Sequence, residues 1–354
     1  MGNSLSKLRL RAWGILVLIA TMLVVSGCGA ETKTPPAGAT LTPSAPAAKK
    51  ALRVGYLNVM DDAQAMLAKD AGLYDKHGLD VELQLFESGT DLIKAIVGGQ
   101  LQAGVLGFTN AATWAQKGAD IKVVGGAQMG YHSILVKKGS GIKTVADLKG
   151  KKLASQQKGS TADIVLNGVV LPQAGLKRDD VNMVYVSPAV AVQSLAAGQV
   201  DAAFVFEPYE QIAKASSEVE AIYEIGKVWP FPCMVVITSG KMLKEDRAAI
   251  DALLGAQQEA ITMLQKQPDE AARLLTKRFI QEETLTGPGG QVAAQAVIKK
   301  AIESQMFHWE ITTDEVKRMQ EVVEIMVAQQ ILPESVKVES FLDLTWQQKQ
   351  GAAH

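Results

Sequence analysis

The stretch Lys158-Gly159-Ser160-Thr161 combines a cation, a flexible glycine and two hydroxyls directly before a helical pattern that includes Ile164 and Leu166. Such a stretch can present free backbone N–H groups and the positive end of a helix dipole to an anionic or strongly polar group. Its chemistry would be binding rather than catalysis. The alternative interpretation is that Ser160 only caps its own helix through its side chain.

Strands alternate with helices on both sides of this stretch. The order strand, helix, strand, helix, strand runs through residues 51–106 and recurs through residues 152–206. Gly99-Gln100-Leu101-Gln102-Ala103 in the first series corresponds to Gly198-Gln199-Val200-Asp201-Ala202 in the second, and each has a helix-ending glycine before a buried strand. This alternation predicts parallel βαβ units, so the sequence predicts an α/β fold with two lobes of one architecture.

The β-rich run 133–136 lies between these two series, and the β-rich run 233–238 lies after the second. Both are predicted to cross from one lobe to the other. Two crossings imply a hinge. From Lys241 onward the pattern is helical, and its apolar stripes are predicted to pack on the first lobe. The predicted domains are lobe one, formed by 51–135 together with 239–354, and lobe two, formed by 136–238.

In open parallel sheets, ligands bind beyond the carboxyl ends of the strands, so the loops after the strands are predicted to line a cleft between the lobes. This rule nominates binding residues in both lobes, although some of them, such as Thr90 and Ser187, could serve only as helix caps. The candidate ligand-binding residues are Asn58, Asp61, Ser88, Gly89, Thr90, Phe108, Thr109, Asn110, Met129, Tyr131, His132, Lys158, Gly159, Ser160, Thr161, Ser187 and Glu207.

Charge is distributed unevenly across the predicted cleft. Lobe two offers Lys158 beside a helix N-terminus, whereas lobe one offers Asp61 and Asp62. A bare symmetric anion would meet those acids unfavourably, so the sequence favours a zwitterion or an anion with an extended neutral body. The polar end of this ligand is predicted to bind the amides of residues 159–161. The residues predicted to shape its apolar remainder are Tyr131, Phe108 and Met129.

The N-terminal residues are typical of an export signal. The uncharged run 12–25 follows basic residues and is too short to span a bilayer comfortably. Val25-Ser26-Gly27-Cys28 resembles the bacterial lipobox, in which a cysteine after small residues receives a diacylglycerol before cleavage. The sequence therefore predicts a lipoprotein signal peptide at 1–27, lipid attachment at Cys28 and an Ala/Pro/Thr-rich tether at 28–50.

The charge balance is close to neutral, with 36 basic and 37 acidic side chains in 354 residues. Cleavage of 1–27 would leave 33 of the 36 basic residues, because it removes Lys7, Arg9 and Arg11. This balance predicts no nucleic-acid partner and no basic patch for anionic lipid. After Cys28 only Cys233 remains, and the four histidines lack paired ligand spacing, so no disulfide, metal or cofactor is expected.

Several motifs in their order resemble a known family, the periplasmic solute-binding proteins of the nitrate, sulfonate, taurine and thiamin-precursor class. The resemblance covers most of residues 51–280, and the loop 58–62 departs from it by carrying two acids where many members have proline or histidine. The motifs are Gly55-Tyr56, Gly72-Leu73-Tyr74, Gly78-Leu79-Asp80-Val81, the Gly-Ile-Lys-Thr-Val-Ala-Asp-Leu-Lys-Gly run at 141–150, Lys158-Gly159-Ser160-Thr161, Phe206-Glu207-Pro208 and Trp229-Pro230-Phe231-Pro232-Cys233.

The resemblance implies a type II periplasmic binding protein fold, whose two lobes close on a small solute and deliver it to the permease and ATPase of an ABC transporter. The loop 158–161 looks most like the alkanesulfonate branch, so a sulfonate-like or taurine-like solute is expected. We also expect a monomer that is anchored by lipid on the outer side of a bacterial cell membrane and is not an enzyme.

Two other classes of function stay open on the sequence. A biosynthetic enzyme of the same fold, of the thiamin-pyrimidine or menaquinone-pathway type, could use His132 with Asp61 as an acid–base pair, although the export signal argues against it. A sensor could instead present its solute-bound form to a membrane receptor.

Overall fold

A computed structural model describes residues 48–351, so the predicted signal peptide, Cys28 and the tether as far as residue 47 lie outside the described residues. The strands are β1 (Lys50–Tyr56), β2 (Leu79–Leu85), β3 (Ala103–Gly107), β4 (Lys122–Met129), β5 (Ser133–Lys137), β6 (Lys152–Ser155), β7 (Asn182–Tyr185), β8 (Ala202–Val205), β9 (Val219–Glu224), β10 (Pro232–Thr238), β11 (Thr284–Gly287), β12 (Gly290–Ala293) and β13 (Met306–Phe307).

The α-helices are α1 (Ala63–Asp70), α2 (Leu73–Lys76), α3 (Gly89–Val97), α4 (Phe108–Gln116), α5 (Thr161–Val165), α6 (Leu171–Gln173), α7 (Pro188–Ala196), α8 (Tyr209–Ser216), α9 (Ile225–Val228), α10 (Gly240–Lys266), α11 (Pro268–Phe279), α12 (Ala294–Ser304), α13 (Thr313–Ala328) and α14 (Thr345–Gly351). A π-helical segment, Leu166–Val170, joins α5 to α6. Short 3₁₀ helices lie at Met60–Asp62, Val145–Leu148, Arg178–Asp180 and Val338–Phe341.

Two large sheets confirm the predicted α/β fold with two lobes, and a small third sheet pairs β11 with β12. The first has the strand order β13-β4-β10-β3-β1-β2 and defines lobe one, and the second has the order β7-β6-β8-β5-β9 and defines lobe two. In each, one strand lies between two parallel neighbours: β1 between β2 and β3, and β6 between β7 and β8. The matched glycines Gly99 and Gly198 both have a φ of 72°, as expected of glycines that end helices.

The strands β5 and β10 do not cross between the lobes, so that prediction is wrong. β5 pairs with β8 and β9 in lobe two, and β10 pairs with β3 and β4 in lobe one. Residues 133–135 therefore belong with lobe two and 232–238 with lobe one. Both strands are buried, and a buried strand must find its hydrogen-bond partners within one sheet.

The chain instead changes sheet at residues 130–132 and returns at residues 229–231. The two crossings lie side by side, because the Gly130 amide donates to the Phe231 carbonyl at 2.7 Å. A side chain at position 130 would collide with the Phe231 ring, since an added Cβ would lie 2.0 Å from it. Glycine is therefore required where the crossings pack together.

The C-terminal third is mainly helical and packs on lobe one, as predicted, but it also contacts lobe two. Helix α10 packs on α1 and α2, and β13 adds an edge strand to the first sheet. Helix α12 packs against α8 of lobe two, and α13 contacts α4 and α5 from different lobes. No helix in the described range 48–351 combines the length and apolar content needed to cross a membrane.

The apolar core continues from one lobe into the other. One cluster includes Val54 of lobe one and Ile134 and Val136 of β5 in lobe two, whereas Leu135 between them faces a second cluster with Leu195. This alternation is the period of a strand that is covered on both faces. The second sheet is thereby covered by apolar side chains on both faces.

Candidate functional site

Three serines at the carboxyl ends of strands begin the helices that follow. Ser88 accepts a hydrogen bond from the Asp91 amide, Ser160 from the Asp163 amide and Ser187 from the Val190 amide. Each bond satisfies one of the amides that a helix start leaves without a partner. The capping interpretation therefore describes all three side chains.

Polar side chains of the two lobes meet at the starts of α4 and α5. The Thr109 and Thr161 hydroxyl oxygens lie 2.7 Å apart, and we call this pair the hydroxyl contact. Beside it, Thr90 donates to the Asn110 side-chain oxygen at 3.4 Å. Gly89 packs so closely that an added Cβ would lie 2.7 Å from the Asn110 amide nitrogen. Five predicted residues from three helices thus converge where the lobes touch.

The amides of the 158–161 loop are mostly occupied by the chain itself, which corrects the prediction that all three hold a ligand. Gly159, at a φ of 81°, donates its amide to the Asp163 carboxylate at 2.8 Å. The Ser160 amide donates to the Gln157 carbonyl at 3.0 Å. A carboxylate in the first turn supplies the negative charge that the helix dipole favours. Lys158 is exposed and forms no ion pair with any residue in 48–351.

Asp163 and its partners were missed by the sequence reasoning. Its carboxylate also accepts from Tyr185 at 2.9 Å and from Asn167 at 2.8 Å, and the Arg178 guanidinium lies 5.7 Å from the centre of the Tyr185 ring. Two signals were available: the spacing of Ser160 and Asp163 is that of a capped helix, and Tyr185 ends a strand. Asp163 therefore fixes both the loop and a half-buried aromatic ring at this edge of lobe two.

Asp61 and Asp62 do not face an open cleft, which corrects their predicted placement. Only 4% of Asp61 and none of Asp62 is exposed. Asp61 accepts from the Gln305 side chain at 3.3 Å, and Asp62 accepts from the Leu57 amide at 2.8 Å. Burial, with Glu207 nearby, raises the pKa of Asp61 to about 8, and burial raises the pKa of Asp62 well above its usual range. The argument for a zwitterion from two charged cleft acids is thereby removed.

Glu207 is fully buried in the loop between β8 and α8. Its carboxylate accepts from Gln211 at 3.0 Å and from Ser304 at 2.9 Å. Burial, reinforced by Glu210, raises the pKa of Glu207 to about 7. The Met60 amide donates to the Glu207 carbonyl at 3.3 Å and so links the two lobes. We call Asp61 and Glu207, together with Ser304 and Gln305, the carboxyl junction.

The aromatic and apolar residues predicted to form one wall of the site are dispersed. Phe108 is buried, with its ring 6.1 Å from that of Phe341, so it belongs to the core behind α4. Met129 is buried in β4, and Tyr131 donates its hydroxyl to Glu210 at 3.0 Å. Phe108 and Tyr131 follow strands, whereas Met129 is the last residue of β4. The direction of each side chain depends on distant packing that the sequence pattern does not encode.

His132 and Asn58 also have structural partners. The His132 ring packs on Phe204 with 5.4 Å between ring centres, and burial lowers the pKa of this imidazole to about 4. It makes no hydrogen bond with Asp61, so the acid–base pair of the enzyme alternative is not assembled. Asn58 is exposed and donates to the Arg278 carbonyl at 3.0 Å. Residues 48–351 contain no group of three acidic, histidine or cysteine side chains placed to hold a metal.

Two lobes that meet through the loops at their strand ends define the class of two-lobed binding proteins, and a solved structure supports this. The crystal structure of the periplasmic aliphatic sulphonate binding protein from Escherichia coli is similar, with 25% sequence identity and a TM-score of 0.70. The match covers 82% of this chain and 91% of that one. The fold is that of the type II periplasmic binding proteins, as predicted.

The sequence places the chain within one family of this class. Residues 45–278 match the NMT1-like family, so the chain belongs to it and the predicted resemblance is confirmed. The chain is 29% identical over 245 residues to a protein of Escherichia coli K12 that is named for binding aliphatic sulfonates, covering 67% of this chain and 74% of that protein. It is 26% identical over 272 residues to a binding protein of Brucella abortus, covering 73% and 82% respectively.

Proposed function

We propose that this protein is the extracytoplasmic solute-binding component of an ABC importer and that it captures a small organic sulfonate or a similar anionic or zwitterionic solute between its lobes. The observation that carries the proposal is the meeting of Thr109 and Thr161, from opposite lobes, at the strand-end loops. A solute that contacts both lobes there favours the closed form over the open one. The relative and the solved structure named for aliphatic sulfonates supply the solute class.

The chemistry around the hydroxyl contact suits an oxyanion. The hydroxyls of Thr90, Thr109 and Thr161 can turn from their present partners to donate to a solute oxygen, and Asn110 carries an amide donor. Helices α3 and α4 both begin at this place, so their dipoles favour negative charge. Lys158 stands exposed on the adjacent loop as a cation without an internal partner among residues 48–351. We therefore assign the anionic end of the solute to this cluster and to Lys158.

Calorimetric titration of the full chain with ethanesulfonate and with taurine tests the proposal. Removing a hydroxyl that donates to a charged oxygen should weaken binding by about one to two decades, so Thr161→Val is expected to lose that much affinity. Thr262→Val, which removes an exposed hydroxyl bonded only within α10, is the matched control. If neither ethanesulfonate nor taurine binds to protein that has been freed of bound small molecules, the proposed solute class is contradicted.

The anchor and the cellular location are proposed from residues outside the described range. Cleavage after Gly27 and acylation of Cys28 would leave the globular part tethered on the outer face of the membrane, within reach of a permease. Fatty-acid labelling of cells that express Cys28→Ala should show no incorporation into the protein. Labelling equal to that of the unaltered chain would contradict the anchor.

A further inference from the structure

Two carboxyl groups from opposite lobes are buried at one place that the proposed solute contacts do not use. Asp61 lies after β1 and Glu207 after β8, and the hydrogen bond from the Met60 amide to the Glu207 carbonyl joins their loops. The same C-terminal segment binds both carboxyls, since Ser304 donates to Glu207 and Gln305 donates to Asp61. The carboxyl junction therefore forms only when the two loops are together.

The carboxyl junction contains more acceptors than donors and no cation of its own. Among residues 48–351, no lysine or arginine forms an ion pair with Asp61, Asp62 or Glu207. The buried Asp62 Oδ1 and Gln128 Oε1 atoms have no hydrogen-bond partner, and Gln128 contacts Gln305. Burying a carboxylate without a cation is costly, and one proton removes most of that cost.

None of the neighbouring titratable groups in the described range forms a cation pair with Asp61 or Glu207. Lys214 forms its ion pair with Glu210 on α8 and not with Glu207, and Glu210 itself raises the pKa of Glu207. The remaining groups around the carboxyl junction, from the elements packed on it, are Asp62 on the same loop, Cys233 at the start of β10, Tyr131 in the outgoing crossing and Glu224 at the end of β9.

We propose that the carboxyl junction is a proton-dependent contact between the lobes: closing the lobes takes up as many as two protons, at Asp61 and at Glu207, so acidic conditions favour the closed form. This goes beyond the proposed function, because it describes an equilibrium of the protein without any solute. In a closed form that is already favoured, a solute needs less of its own binding energy to hold the lobes together.

The direction of the pH dependence follows from the buried carboxyls. In the closed form, the pKa of Asp61 is raised to about 8 and that of Glu207 to about 7, whereas solvated carboxyls have values of about 4. The closed form therefore holds more protons between about pH 4 and pH 8, and the two groups titrate as a pair. Within this window the closing constant should fall as the pH rises, by up to roughly a hundredfold per pH unit where both carboxyls gain a proton on closing, and above the window the constant should level off.

Spin labels at the rims of the lobes can measure this equilibrium. Glu87→Cys after β2 and Ala189→Cys at the start of α7 place labels on exposed positions of opposite lobes. Cys28→Ala removes the other reactive thiol, and Cys233 is buried. Pulsed electron spin resonance on the full chain, without added solute, would record the distance distribution from about pH 5 to about pH 9.

In the protein with an unaltered carboxyl junction, the population with a short distance between the two spin labels should decrease as the pH rises. Asp61→Asn keeps an oxygen that can accept from Gln305 but cannot ionise, so only Glu207 still titrates and the pH response should be reduced. Glu207→Gln should reduce the pH response and serves as the second variant if circular dichroism shows that Asp61→Asn does not fold. Asp80→Asn, an exposed acid of β2, is the matched control and should behave as the unaltered chain.

Two results would overturn the proposal. The first is a distance distribution of the unaltered carboxyl junction that does not change with pH. The second is a full pH response in folded Asp61→Asn or Glu207→Gln. Because no solute is present, neither result would depend on whether the proposed sulfonate class is correct.

Discussion

The hydroxyl contact and the carboxyl junction both join the two lobes, but they do so with different chemistry. Thr109 and Thr161 are neutral, and water or a solute oxygen can replace either partner at little cost. Asp61 and Glu207 are buried acids that each accept a hydrogen bond from the C-terminal segment. The first contact can exchange its partner for a solute, whereas the second can change only by gaining or losing a proton.

This difference separates recognition from the closing equilibrium in one molecule. A residue that contacts the solute should change affinity at every pH, because its hydrogen bond does not titrate. A residue of the carboxyl junction should change the pH dependence and leave the solute chemistry alone. Each prediction below perturbs one of the two contacts, or the crossings on which both depend.

The largest effect is expected at the crossings. Phe231→Ala removes a fully buried ring that packs over Gly130 and Trp229, so the free energy of unfolding should fall by about 3 to 5 kcal/mol. Urea denaturation followed by circular dichroism measures it. Phe279→Ala, which truncates a half-buried ring of α11, is the control and should cost less. Equal losses in the two variants would mean that the crossings are no more tightly packed than the periphery.

The next largest effect is expected at Asp163, which holds the 158–161 loop beside the hydroxyl contact. Asp163→Ala leaves the Gly159 amide, Asn167 and Tyr185 without their common acceptor, so the free energy of unfolding should fall by about 2 kcal/mol. Because the helix start would then lack its internal carboxylate, ethanesulfonate should bind this variant at least as well as it binds the unaltered chain. Weaker binding in a folded Asp163→Ala protein would show that Asp163 positions the solute contacts.

A smaller effect concerns stability against pH at the carboxyl junction. Native pKa values raised to about 8 for Asp61 and about 7 for Glu207 mean that their contribution is complete at low pH and lost as the pH rises through those values. Between about pH 7 and pH 8 the free energy of unfolding should fall by about 1 to 2 kcal/mol. Asp61→Asn combined with Glu207→Gln should flatten this slope, and an unaltered slope would assign it to other groups.

The local elements could be predicted because their signals are local. The helix that begins at Gly89 follows a serine cap and carries an apolar stripe, and Gly99 and Gly198 both mark helix ends. The residues at which the chain passes between the sheets were predicted wrongly, because a fully buried strand such as β10 has the same apolar pattern in either sheet. Only pairing decides its lobe, and the partners of β10 are more than a hundred residues earlier in the chain.

The same contrast between local signals and distant partners explains why only part of the candidate site could be predicted. Thr109, Asn110 and Thr161 follow strands, and the position of a strand end is enough to place them. The burial of Asp61 depends on Gln305, which is 244 residues away, and that of Glu207 depends on Ser304, 97 residues away. No spacing in the sequence links these residues, so two buried acids were predicted to be cleft acids.

The smallest effect separates capping from binding within the 158–161 loop. Ser160→Ala removes the cap of α5 and should lower the free energy of unfolding by about 1 kcal/mol, whereas Lys158→Ala should leave stability unchanged because this side chain is exposed. The loss of affinity for ethanesulfonate should be larger in Lys158→Ala than in Ser160→Ala, because the Ser160 hydroxyl already accepts a hydrogen bond from the Asp163 amide. Calorimetry and urea denaturation on the same two variants measure both quantities. If Ser160→Ala loses more affinity than Lys158→Ala, the serine hydroxyl contacts the solute as well as the helix, and recognition extends beyond the hydroxyl contact into the loop.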